Sequence, residues 1–169
     1  KRCKNFKTCG YNGDSALGEA KVNIDLWGLF SEGQRKLLTG DCAGTVAVKD
    51  EIVKKMTVPL VQGTLRYAYK IGQVEADRSQ KNAAEGATFS AAVLPLVAAC
   101  SPAAAQTISD NQKFGLYDAG NYGSFDAVKA AFESTHACLG ITCAQVCGSD
   151  ASAPLRKSPQ PRRVPVLAP

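Results

Sequence analysis

Glu133 and His136 form the one Glu-x-x-His spacing in the chain, a pattern that helical bundles use to bind iron. Positions three apart lie on the same side of a helix, so the carboxylate and the imidazole could hold one metal ion. A di-iron centre needs a second Glu-x-x-His, which the sequence lacks, so only a mononuclear site remains open. In the alternative interpretation, Glu133 is a solvated helix-end acid and His136 is a charge interacting with the dipole at a helix C-terminus.

Three acidic residues, Glu75, Asp77 and Glu85, form a second candidate metal site. Hard cations such as iron(III) or calcium prefer oxygen ligands. A helical hairpin near Arg78–Lys81 would bring the three carboxylates toward one end of a bundle. In the alternative interpretation, Asp77 is an end cap and Glu85 is the acid of a capping box, and the neighbouring basic side chains neutralise the cluster.

Motifs of common enzyme classes are absent from the sequence. It has no Walker loop, no G-x-G-x-x-G after a strand, no G-x-S-x-G elbow and no C-x-x-C-H haem attachment. His136 is the single histidine, and a cysteine–histidine nucleophile would need an unpaired cysteine beside it. The net charge of +5 is spread thinly, without basic runs interleaved with aromatic residues. We therefore expect neither catalysis nor nucleic-acid binding.

The cysteine content indicates an oxidising compartment outside the cytosol. No pair has the C-x-x-C spacing of zinc ribbons and redox sites, so disulfides are expected. Three bridges would leave one thiol, which could be free and buried, or could pair with another subunit or with a missing part of the parent protein. Cys143 and Cys147 would lie one above the other on a helix, and we expect them to reach two different partners. The seven candidates are Cys3, Cys9, Cys42, Cys100, Cys138, Cys143 and Cys147.

The elements that must position these groups are predicted to be helices. Residues 1–44 are rich in glycine and turn formers, which predicts an irregular, disulfide-tied wrap with one short helix around residues 31–38. Beyond this wrap, apolar residues recur at helical spacing, and Pro59 either starts a new helix or kinks a long one. The predicted fold class is mainly α: a disulfide-stapled helical bundle with an irregular N-terminal wrap.

Several predicted helices carry start signals in the sequence. Asn82 and Glu85 have the spacing of a capping box. Ser101, followed by Pro102, is a strong start signal, and Ser124 is predicted to cap a later helix.

Composition divides the chain into residues 1–44, a helical domain over residues 45–150, and a basic, proline-rich tail or linker over residues 151–169. The stretch 83–100 is apolar but too short and too polar to span a membrane. Because the chain opens on a polar, basic stretch and not on a signal peptide, we expect a mature or excised product.

The segments Tyr67-Ala-Tyr-Lys-Ile-Gly to Ala84-Glu-Gly-Ala, Val93-Leu-Pro-Leu-Val and Cys138-Leu-Gly-Ile-Thr-Cys-Ala-Gln-Val resemble a known set of proteins. They are similar to the iron-assimilation (Fea) family of green algae, which are low-iron- and high-carbon-dioxide-inducible secreted proteins of the periplasmic space. The resemblance covers roughly residues 45–148. It implies an extracellular helical domain that assists iron uptake by binding or concentrating iron at the cell surface, without catalysis.

The sequence therefore leaves two functions open. The first is a secreted, periplasmic or cell-surface protein that binds iron for assimilation. The second is a structural or interaction module of an extracellular or cell-wall assembly that binds no metal. Metal content distinguishes the two.

Overall fold

The computed structural model describes residues 2–147, and these form eight α-helices. A single 3-10 turn, Glu75–Asp77, lies between the third and the fourth. Apart from two isolated bridges, no β-structure occurs in this part of the chain, so the mainly α fold is confirmed. The predicted tail, residues 151–169, lies outside the described residues. The helices are α1 Arg2–Phe6, α2 Lys21–Leu38, α3 Cys42–Gln73, α4 Gln80–Cys100, α5 Pro102–Gln112, α6 Phe125–Glu133, α7 His136–Leu139 and α8 Cys143–Val146.

Side-chain caps set the starts of α3, α4, α5 and α6, whereas α2 has none. Ser101 accepts a hydrogen bond from the backbone N–H of Ala104, and Ser124 caps α6 in the same way, as predicted. The predicted capping box at Asn82 is wrong, because α4 begins earlier and Ser79 accepts the N–H of Asn82 instead. The Asn82 side chain donates to the carbonyl of Asp77, so it holds the preceding turn in place.

Helix α3 is the longest element, and at 32 residues it spans about 48 Å. Pro59 lies inside this helix and starts no new one. Asp41 caps the helix by accepting the backbone N–H of Gly44 at 2.8 Å. Residues Thr57–Ile71 carry nearly all the buried positions of α3, whereas residues 42–56 bury only Val48. The helix therefore belongs to two different packing arrangements along its length.

One apolar core occupies the second half of α3 and the helices that follow. At its tightest point, α4 passes so close to Gly63 that a Cβ there would overlap the ring of Phe89. Of α2, only Val22 packs against this core. Its buried members are Phe6, Val58, Val61, Leu65, Ala68, Val93, Val97, Ala104, Ala105, Ile108, Val128, Ala131, Phe132, Leu139, Ile141 and Val146.

The N-terminal segment is more helical than the sequence predicts. The predicted short helix at residues 31–38 is the second half of α2, and the irregular backbone lies in residues 7–20, between α1 and α2, and in the turn at residues 39–41. Gln62, which is buried in α3, donates to Thr8 Oγ1 at 3.1 Å and to the carbonyl of Gln145 at 2.6 Å. This one side chain therefore ties the irregular segment and α8 to the body of the fold.

Three disulfides are present: Cys3–Cys9, Cys100–Cys138 and Cys143–Cys147. One expectation from the sequence is wrong: Cys143 and Cys147 pair with each other, because α8 ends within one turn and leaves the two sulfurs facing the same side. The N-terminal bridge is local, since Cys3 and Cys9 pair within the segment and Cys42 is unpaired and exposed.

Of the described helices, α4 alone is long and apolar enough to cross a membrane, with a mean hydropathy of 1.5 over 18 residues. It is longer than the stretch singled out in the sequence because it begins at Gln80. Only 28% of this window is buried, although α4 supplies Val93 and Val97 to the core and is bonded to α7 through Cys100. Its composition alone is weak evidence of a membrane span.

Candidate functional site

The helical hairpin predicted to collect Glu75, Asp77 and Glu85 is formed by α3 and α4, but it does not bring the three carboxylates into one site. Glu75 is exposed on the 3-10 turn. Asp77 lies 3.7 Å from the amine of Lys70, and Glu85 lies 3.9 Å from the guanidinium of Arg2. Within residues 2–147, no three His, Cys, Asp or Glu side chains form a group that could hold a metal ion.

Arg2 is held firmly beside Glu85. Its guanidinium lies 4.8 Å from the ring centroids of both Tyr67 and Phe89, and it donates a hydrogen bond to the Tyr67 hydroxyl at 3.0 Å. Burial lowers the pKa of Arg2, and Glu85 opposes this effect. Glu85 therefore serves as the counterion of a half-buried arginine.

Glu133 and His136 lie on different helices. Glu133 is the exposed last residue of α6 and pairs with Lys129 at 2.8 Å, which matches the solvated helix-end interpretation. His136 is the first residue of the four-residue helix α7, so it does not share a helix with Glu133. Its Nε2 is buried without a hydrogen-bond partner, and burial lowers its pKa against the opposing effect of Glu133. These contacts favour a neutral imidazole.

A different feature stands out on the opposite part of the molecule, where α2 packs on the first half of α3. Trp27 and Phe30 of α2 are 80% and 56% exposed, and Leu37 is 63% exposed. On α3, Val53 and Met56 are also exposed. We call these five residues the hairpin face. Large apolar side chains grouped in this way on a protein surface mark interaction sites.

Helical spacing places the five residues on one side of the hairpin. Phe30 and Leu37 line a groove of about 280 Å³ between α2 and α3, and Trp27 lies one turn before Phe30. On α3, Lys49 and Ile52 line the same groove. Val53 and Met56 follow them by four residues, which is one helical turn.

Gly33 marks the contact between the two helices beneath the groove. It is the one buried residue of α2, and a Cβ at this position would lie 3.4 Å from a methyl group of Val48, which is an ordinary van der Waals contact. The larger apolar side chains of α2 lie beside this contact and stay exposed.

Cys42 lies at the tip of the hairpin, on the same side as the groove. It is the first residue of α3 and precedes the groove residue Lys49 by seven positions, or two turns. All seven cysteines fall within the described residues, and Cys42 is the one that remains unpaired. An exposed thiol thus lies at one end of an exposed apolar surface.

The hairpin face is not among the sites predicted from the sequence, although the sequence carries a signal for it. Trp27, Phe30, Gln34 and Leu37 follow one another at intervals of three, four and three residues, which is the stripe of an amphipathic helix. Glycines within and around this stretch gave the opposite indication and favoured an irregular wrap.

Comparison with protein-family models, with curated proteins and with solved structures finds no match to this chain. The resemblance to the iron-assimilation family therefore stays a prediction.

Proposed function

We propose that this chain is a non-catalytic interaction module of an extracellular assembly and that it docks through the hairpin face. The observation that carries the proposal is the grouping of Trp27, Phe30, Leu37, Val53 and Met56 in water on one side of α2 and α3. Exposing such residues costs free energy that burial against a partner regains, at about 25 cal/mol per Å².

The disulfides support the extracellular part of this proposal. Three intrachain bridges are typical of proteins that fold in an oxidising compartment and are rare in the cytosol. A protein at the cell surface or in the periplasmic space meets both conditions, since it is oxidised and has access to extracellular partners.

Iron binding, the other expectation from the sequence, has weaker support in the described residues. A ferric ion would have to displace Lys70 from Asp77, Arg2 from Glu85 and Lys129 from Glu133. We therefore expect iron(III) titration of the disulfide-bonded chain, followed by gel filtration and elemental analysis, to recover much less than one iron per chain. Stoichiometric iron that disappears when Glu75, Asp77 and Glu85 are replaced by alanine would contradict this proposal and support iron assimilation.

Site-specific photocrosslinking tests the docking surface directly. A benzophenone side chain is introduced at Phe30, and in a control at Gln106, which is exposed on α5 far along the chain from the hairpin. When the two proteins are irradiated in the extracellular fraction of the source cells, mass spectrometry of the adducts should identify one recurring partner peptide at position 30. Adding Trp27→Glu to the position-30 protein should abolish that adduct. Equal adduct patterns at positions 30 and 106 would refute the proposal.

A further inference from the structure

Building on the proposed function, we infer that the partner of the hairpin face is a second copy of this chain. The two copies form a symmetric dimer in which the apolar sides of both hairpins pack together. The two Cys42 side chains then meet at the tips and form an intermolecular disulfide.

The exposed area is the right size for such a dimer. Seven large apolar side chains of α2 and the first half of α3 are between 41% and 81% exposed. Aromatic side chains present about 150–250 Å² each and aliphatic ones about 60–120 Å², so the seven leave roughly 400–700 Å² of apolar surface in water. A standard stable interface buries ~800 Å² on each partner, of which roughly 60% is apolar. These side chains can therefore supply the apolar part of a dimer interface. The seven are Trp27, Phe30, Leu37, Leu38, Val46, Val53 and Met56.

The charges on this surface suit pairing with an identical surface. In a two-fold interface both copies use the same patch, so an unpaired charge near the axis would lie close to the same charge of the other copy and repel it. Lys49 is the one charged residue that lines the groove, and its amine is paired with the carboxylate of Asp50 in the same chain. Two copies can therefore approach without bringing unpaired like charges together.

The position of Cys42 fixes the orientation of the two copies. If the two-fold axis runs along the hairpins, both tips lie at the same end and the two Cys42 residues face each other. Val46, one turn after Cys42, is 55% exposed and extends the apolar surface up to the thiol. A disulfide needs the two Cα atoms to be about 5.5–6 Å apart, which is compatible with the usual separation of packed helices at their closest points.

The bond forms by thiol–disulfide exchange with a small-molecule disulfide as the oxidant. The thiolate of one Cys42 attacks the small disulfide, forms a mixed disulfide and releases one small thiol. The thiolate of the second Cys42 attacks the protein sulfur of that mixed disulfide and releases the second small thiol. Overall, two protein thiols are oxidised to one disulfide, and one small disulfide is reduced to two thiols.

The test uses the full disulfide-bonded chain in a buffer of oxidised and reduced glutathione. Wild-type protein should run at twice the monomer mass on a non-reducing gel. The Cys42→Ser variant should lose this covalent dimer but still sediment as a dimer that dissociates on dilution. Phe30→Glu should slow formation of the covalent dimer at least tenfold, and the control Gln106→Glu should leave the rate unchanged.

Two results would overturn the inference: a Cys42→Ser protein that is monomeric at every concentration, or a Phe30→Glu protein that forms the bond as fast as wild type. Circular dichroism checks that each variant is folded. Trp27→Glu replaces Phe30→Glu if the latter is not, because Trp27 is 80% exposed. The photocrosslinking result separates the two proposals. A monomeric chain that crosslinks a different extracellular protein at position 30 refutes the dimer alone, and one that crosslinks nothing there refutes both.

Discussion

The Cys100–Cys138 disulfide should contribute more stability than either of the other two bridges. It joins the end of α4 to α7 and closes a loop of 38 residues, whereas Cys3–Cys9 closes 6 and Cys143–Cys147 closes 4. A cross-link stabilises the fold mainly by restricting the unfolded chain, and this restriction increases with the logarithm of the loop length.

The loop lengths give the expected magnitudes. The chain-entropy relation predicts a contribution of about 4 kcal/mol at 25 °C for the 38-residue loop and about 2 kcal/mol for each short loop. For a chain of this length, 1 kcal/mol corresponds to a change of about 2–4 °C in Tm. Removing the long bridge should therefore lower Tm by about 8–16 °C, and removing a short one by about half as much.

The assay compares double-alanine variants in a Cys42→Ser background, which prevents exchange with the free thiol. Urea unfolding followed by circular dichroism gives the free energy of unfolding for Cys100→Ala/Cys138→Ala and for the matched control Cys3→Ala/Cys9→Ala. The long-loop variant should lose about twice as much as the control. If the control loses as much or more, then loop length does not set the stability and the reasoning is wrong.

Three other perturbations address the core and two titrating groups. Phe132→Ala should lower the free energy of unfolding by about 3–5 kcal/mol because Phe132 is fully buried. Trp27→Ala should change it by less than about 0.5 kcal/mol in the monomer. Urea unfolding at low protein concentration measures both changes. Burial lowers the pKa of His136, so stability should fall as the pH drops below about 6.5, and His136→Gln should remove that part of the pH dependence. Partial burial raises the pKa of Asp25, but hydrogen bonds from Lys21 and Lys55 lower it below its ordinary value. The stability that Asp25 contributes should therefore be present above pH about 4 and be lost as the pH falls further, and the difference between wild type and Asp25→Asn should shrink over that range.

Each of these outcomes has a clear contradiction. Equal losses for Phe132→Ala and Trp27→Ala would mean that the core does not lie where the structure places it. A wild-type pH profile between pH 7 and 5 that is unchanged by His136→Gln would show that the imidazole is solvated in the folded state. An Asp25→Asn effect that persists undiminished at pH 2.5 would assign the stabilisation to packing instead of to the two lysine contacts.

Local signals in the sequence predicted the starts of α5 and α6. Ser101 and Ser124 each cap a backbone N–H group three residues later in the chain. Both ends of such a contact can be read from a short stretch of sequence. The prediction failed at Asn82 because Ser79, three residues earlier, can also cap a helix, and α4 begins after Ser79. Competition between caps is decided by the turn that precedes the helix, which the motif alone does not specify.

The sequence does not show which basic side chains neutralise Glu85 and Asp77, because these partners come from other elements; the partner of Glu133, by contrast, lies four residues earlier on the same helix. Glu85 lies on α4, but the arginine beside it lies on α1, 83 positions earlier in the chain. Lys70, which pairs with Asp77, belongs to the last turn of α3. A spacing pattern shows which acidic residues can share a helix face. Tertiary packing determines which lysine and arginine side chains pair with them.

The second half of α3 belongs to the stable core of the protein, and its first half carries part of the hairpin face. Its second half is fixed by the core and by neighbours that a disulfide holds, so the body of the protein keeps its fold without a partner. Its first half supports α2, an 18-residue helix whose one buried residue is Gly33, and most of the stability of a helix in a protein comes from such packing. Because anything that binds only the folded hairpin stabilises it by mass action, occupancy of the hairpin face should protect the backbone amides of α2 from hydrogen exchange more than those of α4. A substitution on the hairpin face can therefore abolish association while the body stays folded, and this separation makes the docking experiments interpretable.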